Sequence, residues 1–201
     1  MPEVVLSAVQ GNWRLFMTRK ADSAFLGFVA KVFNRDSYCC QFCGFSASSH
    51  MEAINLDGNY LNNKLSNLIT SCPFCAQCHF LDAVGTGDFG GGTLIYLPEM
   101  KQGELNALVH VLFASIASGC EYSVKAKETY RDIKLRSQLV EQRLGPGLSN
   151  PSIYGQMLID TKKESIKVHQ ELIQSIRLLP NLKKFGPIAT AWATDAVRAL
   201  A

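Results

Sequence analysis

Histidine, charged residues and long apolar runs are all scarce in this sequence. Of its 201 residues, 4 are histidine and 18% are charged, and the formal net charge is +3. So small a net charge gives by itself no argument for a nucleic-acid partner. The most apolar window, residues 107–117, is much shorter than the roughly 20 residues that cross a bilayer. The first six residues also lack the basic segment and apolar stretch of a secretory signal, so we expect a soluble, cytoplasmic protein.

The rest of the composition is that of a folded domain with reduced cysteines. Hydrophobic residues make up 47% of the chain, which is enough for a substantial core. In a reducing compartment, its seven cysteines are more often metal ligands and free thiols than disulfides. Acidic residues prevail over residues 44–122, and basic residues prevail in the helices predicted after them. A solvated helical surface accounts for that distribution.

Four of the cysteines form two Cys-x-x-Cys pairs, which are Cys40 with Cys43 and Cys72 with Cys75. This spacing is typical of structural zinc sites. Four thiolates suit tetrahedral Zn²⁺, and a site filled by four cysteines leaves no open position for water. The sequence therefore predicts one structural zinc ion held by these four residues.

The choice of ligands within this group leaves alternatives open. Cys39 directly precedes Cys40, and Cys78 forms a competing Cys-x-x-Cys pair with Cys75. His79 is a further possible ligand. We favour Cys72 with Cys75 because Pro73, after the first cysteine, favours a tight turn.

Hydrophobic spacing predicts an α+β protein with two regions, a zinc-bearing module of short strands at 1–98 and a mainly helical half at 99–201. The predicted elements are a weak strand over 4–9 with a partner over 13–17, a helix over 24–33, a strand over 93–97, and helices over 104–116, 121–144, 161–179 and 189–200. The third of these later helices opens on a capping box, Thr161-x-x-Glu164. Residues 85–90 spell G-x-G-x-x-G, but a strand follows them, so we predict a loop and no dinucleotide site.

The cysteine frame resembles that of the HNH nuclease superfamily, in which a histidine pair between the two knuckles performs the chemistry. Ile54 and Asn55 stand at the corresponding place here, and asparagine cannot take up a proton. His50 lies too early in the chain, and His79 follows the second knuckle. Side chains that could still touch a metal are Asp57, Asn62 and Asn63. None of these three replaces a base with a pKa near neutral.

Four segments carry a narrower resemblance: residues 36–45, 56–63, 67–78 and 91–99. They resemble the DotN (IcmJ) family of the Dot/Icm type IVB secretion system. The Leu-Pro-Glu end of the last segment and the Cys-Pro-x-Cys-x-x-Cys knuckle go beyond the general HNH pattern. The resemblance implies an HNH-like zinc module of the ββα-metal type, followed by a helical half.

The same resemblance implies a function in protein assembly. Members of this family are understood as subunits of the coupling complex, held at the inner face of the bacterial inner membrane by the coupling ATPase DotL. We therefore expect a zinc-stabilised, non-catalytic adaptor that binds the C-terminal segment of DotL and, with the associated adaptor subunits, supports effector recruitment. The alternative is a metal-dependent HNH-type nuclease or nucleic-acid-binding protein, whose DNA binding would fall steeply with salt.

Overall fold

The computed structural model describes residues 2–161 and 174–200. Its helices are α1 (Asn12–Lys20), α2 (Ser23–Arg35), α3 (Pro73–Ala76), α4 (Gln102–Ser118), α5 (Ser123–Leu135), α6 (Ser137–Leu144), α7 (Pro151–Asp160) and α8 (Leu182–Leu200). Three single 3₁₀ turns lie at Leu65–Asn67, Gln77–His79 and Leu81–Ala83. Helices and short strands occur together, which confirms the mixed composition predicted from the sequence.

Four short strands form two separate antiparallel pairs in the described part of the chain. The pairs are β1 (Glu52–Asn55) with β2 (Leu68–Ser71), and β3 (Gly92–Tyr96) with β4 (Ile176–Pro180). The first pair links the two cysteine knuckles. The second pair joins a strand from residues 1–98 to a strand from residues 99–201. The division at residue 98 stays a prediction, and the two predicted regions share this sheet.

Helix α4 is the element around which the core is arranged. Its buried stripe recurs at the spacing of one helix face, with Leu105, Val109 and Phe113 at most 1% exposed. The helix packs against α5, α8 and β4, and it also touches α3, which carries the second knuckle. The predicted helices over 24–33 and 104–116 are confirmed, as is the predicted strand over 93–97.

The prediction of a strand pair over residues 4–9 and 13–17 is wrong. Residues 12–20 form α1, because Phe16 and Arg19 are three positions apart and turn the same helical face inward. The preceding residues 2–9 form no helix or strand. Ser7 in this segment joins the fold through two backbone hydrogen bonds to the turn that follows the second knuckle.

The single helix predicted over residues 121–144 is two helices, α5 and α6, which meet at Arg136. The backbone N–H of Tyr96, at the end of β3, donates to the carbonyl of Arg136 at 3.3 Å. The guanidinium of Arg136 also pairs with Glu99. These tertiary contacts, which no helical periodicity reveals, interrupt the helix at this residue.

The helix predicted over residues 161–179 is wrong at its end, where residues 176–180 form β4. A short apolar run fits a buried strand as well as a helix, and pairing with β3 decides between them. The capping box that was predicted to start this helix reaches beyond the described residues. The last helix begins at Leu182, earlier than predicted, and contains Pro187.

No helix within residues 2–161 and 174–200 is long and apolar enough to cross a membrane. The longest of them, α8, contains four charged residues, which are Lys183, Lys184, Asp195 and Arg198.

Candidate metal centre

The first knuckle is a tight turn that directly follows α2. The N–H of Cys40 donates to the carbonyl of Phe45 at 2.7 Å, and the N–H of Gly44 donates to the carbonyl of Cys40 at 2.9 Å. Gly44 has φ of 78°, in the left-handed region that glycine adopts without a steric penalty. The turn brings the side chains of Cys40 and Cys43 to the same place.

The second knuckle joins β2 to α3. Cys72 follows the last residue of the strand, and Pro73 stands at the first position of the helix, where its fixed φ favours helix formation. Cys75 lies within α3, one turn along. Because β1 and β2 form a hairpin-like pair, the end of β2 is held beside the first knuckle. Gln41, inside that knuckle, donates its N–H to the carbonyl of Thr70 at 2.9 Å.

The four predicted cysteines converge on one point. The sulfur atoms of Cys40, Cys43, Cys72 and Cys75 all lie within 4.8 Å of one another. Tetrahedral zinc with Zn–S bonds of about 2.3 Å places its sulfur ligands roughly 3.8 Å apart. The sulfurs of Cys43 and Cys72 are 3.6 Å apart. The donor set and its spacing therefore fit a Zn²⁺ ion.

Helix α4 supplies two polar partners to the second knuckle. The Nδ2 of Asn106 donates to the sulfur of Cys75 at 3.1 Å, and the Nε2 of His110 lies 3.2 Å from the sulfur of Cys72. The two residues are one helical turn apart, so they share a face of α4. The His110 ring is stacked between Phe45 and Phe74, with centroid distances of 3.6 and 4.1 Å. Groups that donate to metal-bound thiolates orient the ligands and tune the site.

Burial dominates the electrostatics of this centre. It raises the pKa of the Cys72 and Cys75 thiols, while hydrogen bonds from Cys43, Cys72 and Cys75 lower the pKa of Cys40. Burial also lowers the pKa of His110 to about 3, so that its ring is neutral. Four thiolates in so small a volume repel one another. A divalent cation at the centre would offset that repulsion.

The alternative ligands are engaged elsewhere. The thiol of Cys78 is fully buried and donates to the carbonyl of Phe74 at 3.3 Å. The thiol of Cys39 contacts the carbonyls of Cys40 and Gly44. His79 packs its ring against Phe42, and burial lowers its pKa to about 4. None of the three belongs to the group of four sulfurs.

The Arg35-Asp36 pair before the first knuckle fastens α2 to β2. The guanidinium of Arg35 donates to the carbonyls of Leu65 and Leu68, at 2.9 and 2.7 Å. The carboxylate of Asp36 accepts from the N–H of Thr70 at 2.8 Å and from Arg35. Burial acts to raise the pKa of Asp36, but these hydrogen bonds outweigh it and the pKa falls. The pair thus fixes one knuckle relative to the other.

Ile54 and Asn55, at the end of β1, are both buried, with exposures of 0% and 2%. The guanidinium of Arg19 donates to Asn55 Oδ1 and to the carbonyl of Ala53, each at 2.5 Å. It also donates to Asn63 Oδ1 at 3.0 Å. Asn55 uses its own amide group to hold the loop that follows, so neither side chain is available to a substrate.

The loop over residues 56–67 is held by a network of side-chain amides. Asn55 Nδ2 donates to the carbonyls of Asn59 and Asn62, at 2.9 and 2.8 Å. Asp57 accepts from the side chains of Asn62 and Asn67, at 2.7 and 2.8 Å, and these bonds lower its pKa. Of the residues suggested as metal-touching, Asp57 and Asn62 therefore bind each other, and Asn63 accepts from Arg19. His50 lies in the turn before β1 with a left-handed φ of 59°.

Sequence reasoning missed three buried polar residues, which are Asn106 and His110 beside the cysteine cluster and Arg19 beside Asn55. Arg19 lies two residues beyond the strand predicted over 13–17, and nothing in its neighbourhood marks it as buried. Asn106 and His110 lie on the buried face of a clearly predicted helix. A polar residue within an apolar stripe was the available signal, since buried polar groups need partners.

Comparison with known proteins gives one close relative. No protein-family model matches the chain. A curated protein of Legionella pneumophila, named Type 4 apparatus protein DotN, is 49% identical over 199 residues. The match covers 99% of this chain and 93% of that protein. So high an identity over nearly the whole of both chains extends well beyond the cysteine knuckles.

Proposed function

Because this chain belongs to the DotN family, we propose that it is a component of a type IVB (Dot/Icm) secretion apparatus, in which it serves as a zinc-stabilised adaptor. Its partner is the C-terminal segment of the coupling ATPase, DotL, together with the associated adaptor subunits. Through this partner it lies at the inner face of the inner membrane and supports effector recruitment. The name of the Legionella relative supports the place in the apparatus.

The observation that best supports the non-catalytic role is that the side chain of Asn55 is fully engaged in hydrogen bonds. Its side-chain oxygen is occupied by Arg19 and its amide by two backbone carbonyls of the next loop. A general base must accept a proton from water, and this amide cannot. The cluster of four cysteine sulfurs has no open coordination position once zinc is bound. The site therefore stabilises structure and offers no group for hydrolysis.

The zinc module is proposed to be a degenerate HNH-like fold of the ββα-metal type. In support, β1 and β2 pair between the two knuckles, and α3 begins inside the second knuckle, directly after Cys72. Asn55 occupies the end of β1, at the place the resemblance assigns to a catalytic histidine. Arg19, which is only 7% exposed, donates from its guanidinium to the side-chain oxygen of Asn55.

We expect no hydrolysis of DNA by the purified protein with magnesium, manganese or nickel, because the position of the general base is filled by Ile54 and Asn55. The measurement is plasmid nicking followed through successive purification steps. An Asn55→His variant is expected to remain inactive, since Arg19 still fills the site. Nicking that co-purifies with the chain and disappears in His79→Ala would contradict the proposal.

The zinc proposal also predicts a role for Asn106. An Asn106→Asp variant keeps an oxygen to accept from Gln102 but loses the donor to Cys75. We expect one zinc per chain but about 10- to 100-fold weaker affinity, the usual effect of removing such a supporting hydrogen bond. Competition with a chromophoric chelator measures it. Val111→Ala, on the exposed side of the same helix, is the control and should leave the affinity unchanged.

The adaptor role predicts a stoichiometric complex with the isolated C-terminal segment of DotL. A stable interface of this kind buries about 1,200 Å² or more in total, with apolar anchors at its centre. We expect the two to co-elute in size exclusion at moderate salt. Calorimetry should give a negative heat-capacity change, as burial of apolar surface does. Separate elution at micromolar concentrations of both would refute the adaptor role in this form.

A further inference from the structure

Helix α8 is attached to the fold independently on the two sides of Pro187. Proline has no backbone N–H, so the carbonyl of Lys183, four residues earlier, receives no helical hydrogen bond from this position. The start of the helix is fixed by other contacts. Asn181 Oδ1 accepts from the N–H of Lys183 at 2.9 Å, and Leu182 donates its N–H to the hydroxyl of Tyr130 at 3.2 Å. The first turn therefore stays in place whatever happens beyond the proline.

The distal segment of α8, residues 188–198, is held through few side chains. Ala189 and Trp192 are its buried residues, and no residue over 193–198 is buried. The indole Nε1 of Trp192 donates to the carbonyl of Ser49 at 3.2 Å. This carbonyl belongs to the turn that joins the first knuckle to β1. Trp192 is therefore the main anchor of the distal segment.

The ring of Trp192 packs on an aromatic stack that both knuckles build. Its centroid lies 4.6 Å from that of Phe45, 5.3 Å from that of His110 and 6.0 Å from that of Phe74. Phe45 directly follows the turn of the first knuckle, and Phe74 lies inside the second. The surface that receives the distal segment thus has the right shape only when both knuckles are closed.

His110 connects this stack to the candidate metal centre. Its two ring faces are covered by Phe45 and Phe74, and its Nε2 lies 3.2 Å from the sulfur of Cys72. Packing that holds a ring in one orientation lowers the entropic cost of its hydrogen bond. Partners that donate to a metal ligand in turn raise metal affinity. Docking of Trp192 should therefore strengthen zinc binding through His110.

The interface beneath the distal segment is only partly filled. A cleft of about 470 Å³ lies between this segment, α4 and the turn of the first knuckle. Its lining includes Phe45, Phe113, Trp192 and Ala193. Side chains that border empty space forfeit dispersion contacts, so such an interface separates more easily than a close-packed one. The distal segment can therefore detach without disruption of the start of α8.

We propose that docking of the distal segment and zinc binding stabilise each other, with Trp192 as a positioning residue that acts through His110. The segment is docked while the metal centre is loaded and is released when zinc leaves. By thermodynamic linkage, zinc favours docking by the same factor by which docking favours zinc. This inference rests on the zinc site proposed above and adds to it a conformational response at the far end of the chain.

The first test measures zinc affinity by competition with a chromophoric chelator. Trp192→Leu keeps an apolar side chain but removes the ring and its N–H. We expect zinc binding about 10-fold weaker, within the usual range of coupling between sites. The sulfur-to-cobalt absorption of the cobalt-loaded chain should also shift, because the hydrogen bond of His110 to Cys72 changes. Trp192→Phe restores a ring and should recover most of the affinity.

Val140→Ala is the control for a general loss of stability. Val140 is 1% exposed in α6 and belongs neither to the aromatic stack nor to the cleft. Its truncation should lower the melting temperature but leave zinc affinity and the cobalt spectrum unchanged. An equal loss of affinity in Val140→Ala and Trp192→Leu, or full affinity in Trp192→Leu, would overturn the proposal.

Hydrogen–deuterium exchange tests the reverse effect in the unaltered chain. After zinc is removed by a chelator, exchange over residues 188–198 should become at least 10-fold faster, whereas β4 should keep its protection through its pairing with β3. Added zinc should restore the slow exchange. Unchanged protection of the distal segment, or equal loss of protection in β4, would contradict a specific release.

These measurements separate the coupling from the zinc site itself. If the unaltered chain binds no zinc, the zinc-stabilised role fails together with the coupling. If it binds one zinc and Trp192→Leu binds it equally well, the coupling alone fails and the zinc site stands.

Discussion

A Cys72→Ser variant is expected to lose its zinc and, with it, the folded zinc module. Cys72 is fully buried, and its sulfur lies 3.6 Å from the sulfur of Cys43. Among the described residues, it is also the one cysteine of the four whose sulfur His110 contacts. Apparent binding free energies of structural zinc are about 10 kcal/mol or more, and in a small module this is also folding free energy. We expect insoluble protein or a sharply lowered melting temperature, measured with zinc content by metal analysis.

Two other cysteines test the assignment of the ligands. Cys39→Ser and Cys78→Ser change the residues that competed with the predicted set, and both should retain one zinc per chain. Cys78→Ser keeps a donor for the carbonyl of Phe74, so a moderate loss of stability is expected there without loss of metal. A full zinc equivalent in Cys72→Ser, or its loss in Cys78→Ser, would show that the ligand set is wrong.

An Arg19→Met variant is expected to lower the free energy of unfolding by about 3 kcal/mol, because buried acceptors are left without donors. Its guanidinium now serves Asn55, Asn63 and the carbonyl of Ala53. For a chain of this size the change corresponds to a melting temperature roughly 10 °C lower. Burial lowers the pKa of Arg19 to about 10, which still leaves it charged at neutral pH. Thermal unfolding at neutral pH measures the effect.

Arg14→Met is the matched control for that experiment. Arg14 lies on the exposed side of α1, so its replacement should change the melting temperature little. Zinc content should stay at one per chain in both variants, because neither residue touches the cysteine cluster. Equal stability of Arg19→Met and Arg14→Met would mean that the loop over residues 56–67 does not depend on the buried guanidinium.

The cysteine knuckles could be predicted from sequence because their spacing is a local property. Two residues between paired cysteines, with a proline inside the second pair, dictate a tight turn wherever the rest of the chain lies. The supporting contacts of Asn106 and His110 come from a helix that begins some 27 residues beyond Cys75. Local patterns showed that helix and its buried face, but not which element it would pack against.

Arg19 and β4 were beyond prediction for the same physical reason. The burial of Arg19 depends on three acceptors more than 30 residues away, and the strand at 176–180 depends on a partner at least 80 residues earlier. An apolar run such as Ile-Arg-Leu-Leu has no strong preference between helix and strand in isolation. The choice between helix and strand at residues 176–180 therefore depends on long-range pairing and not on the local sequence.

The pairing of β3 with β4 has a consequence for synthesis of the chain. Gly92 lies opposite Pro180, so β3 leaves the ribosome long before its partner exists. The opposite edge of β3 also bonds to residues that are translated later, since Leu94 donates its N–H to the carbonyl of Ser149 at 2.7 Å. An unpaired strand is a template for aggregation, and such distant contacts form slowly. In a nascent chain that has closed its zinc knuckles, β3 therefore still lacks its strand partner until nearly the whole length has been translated.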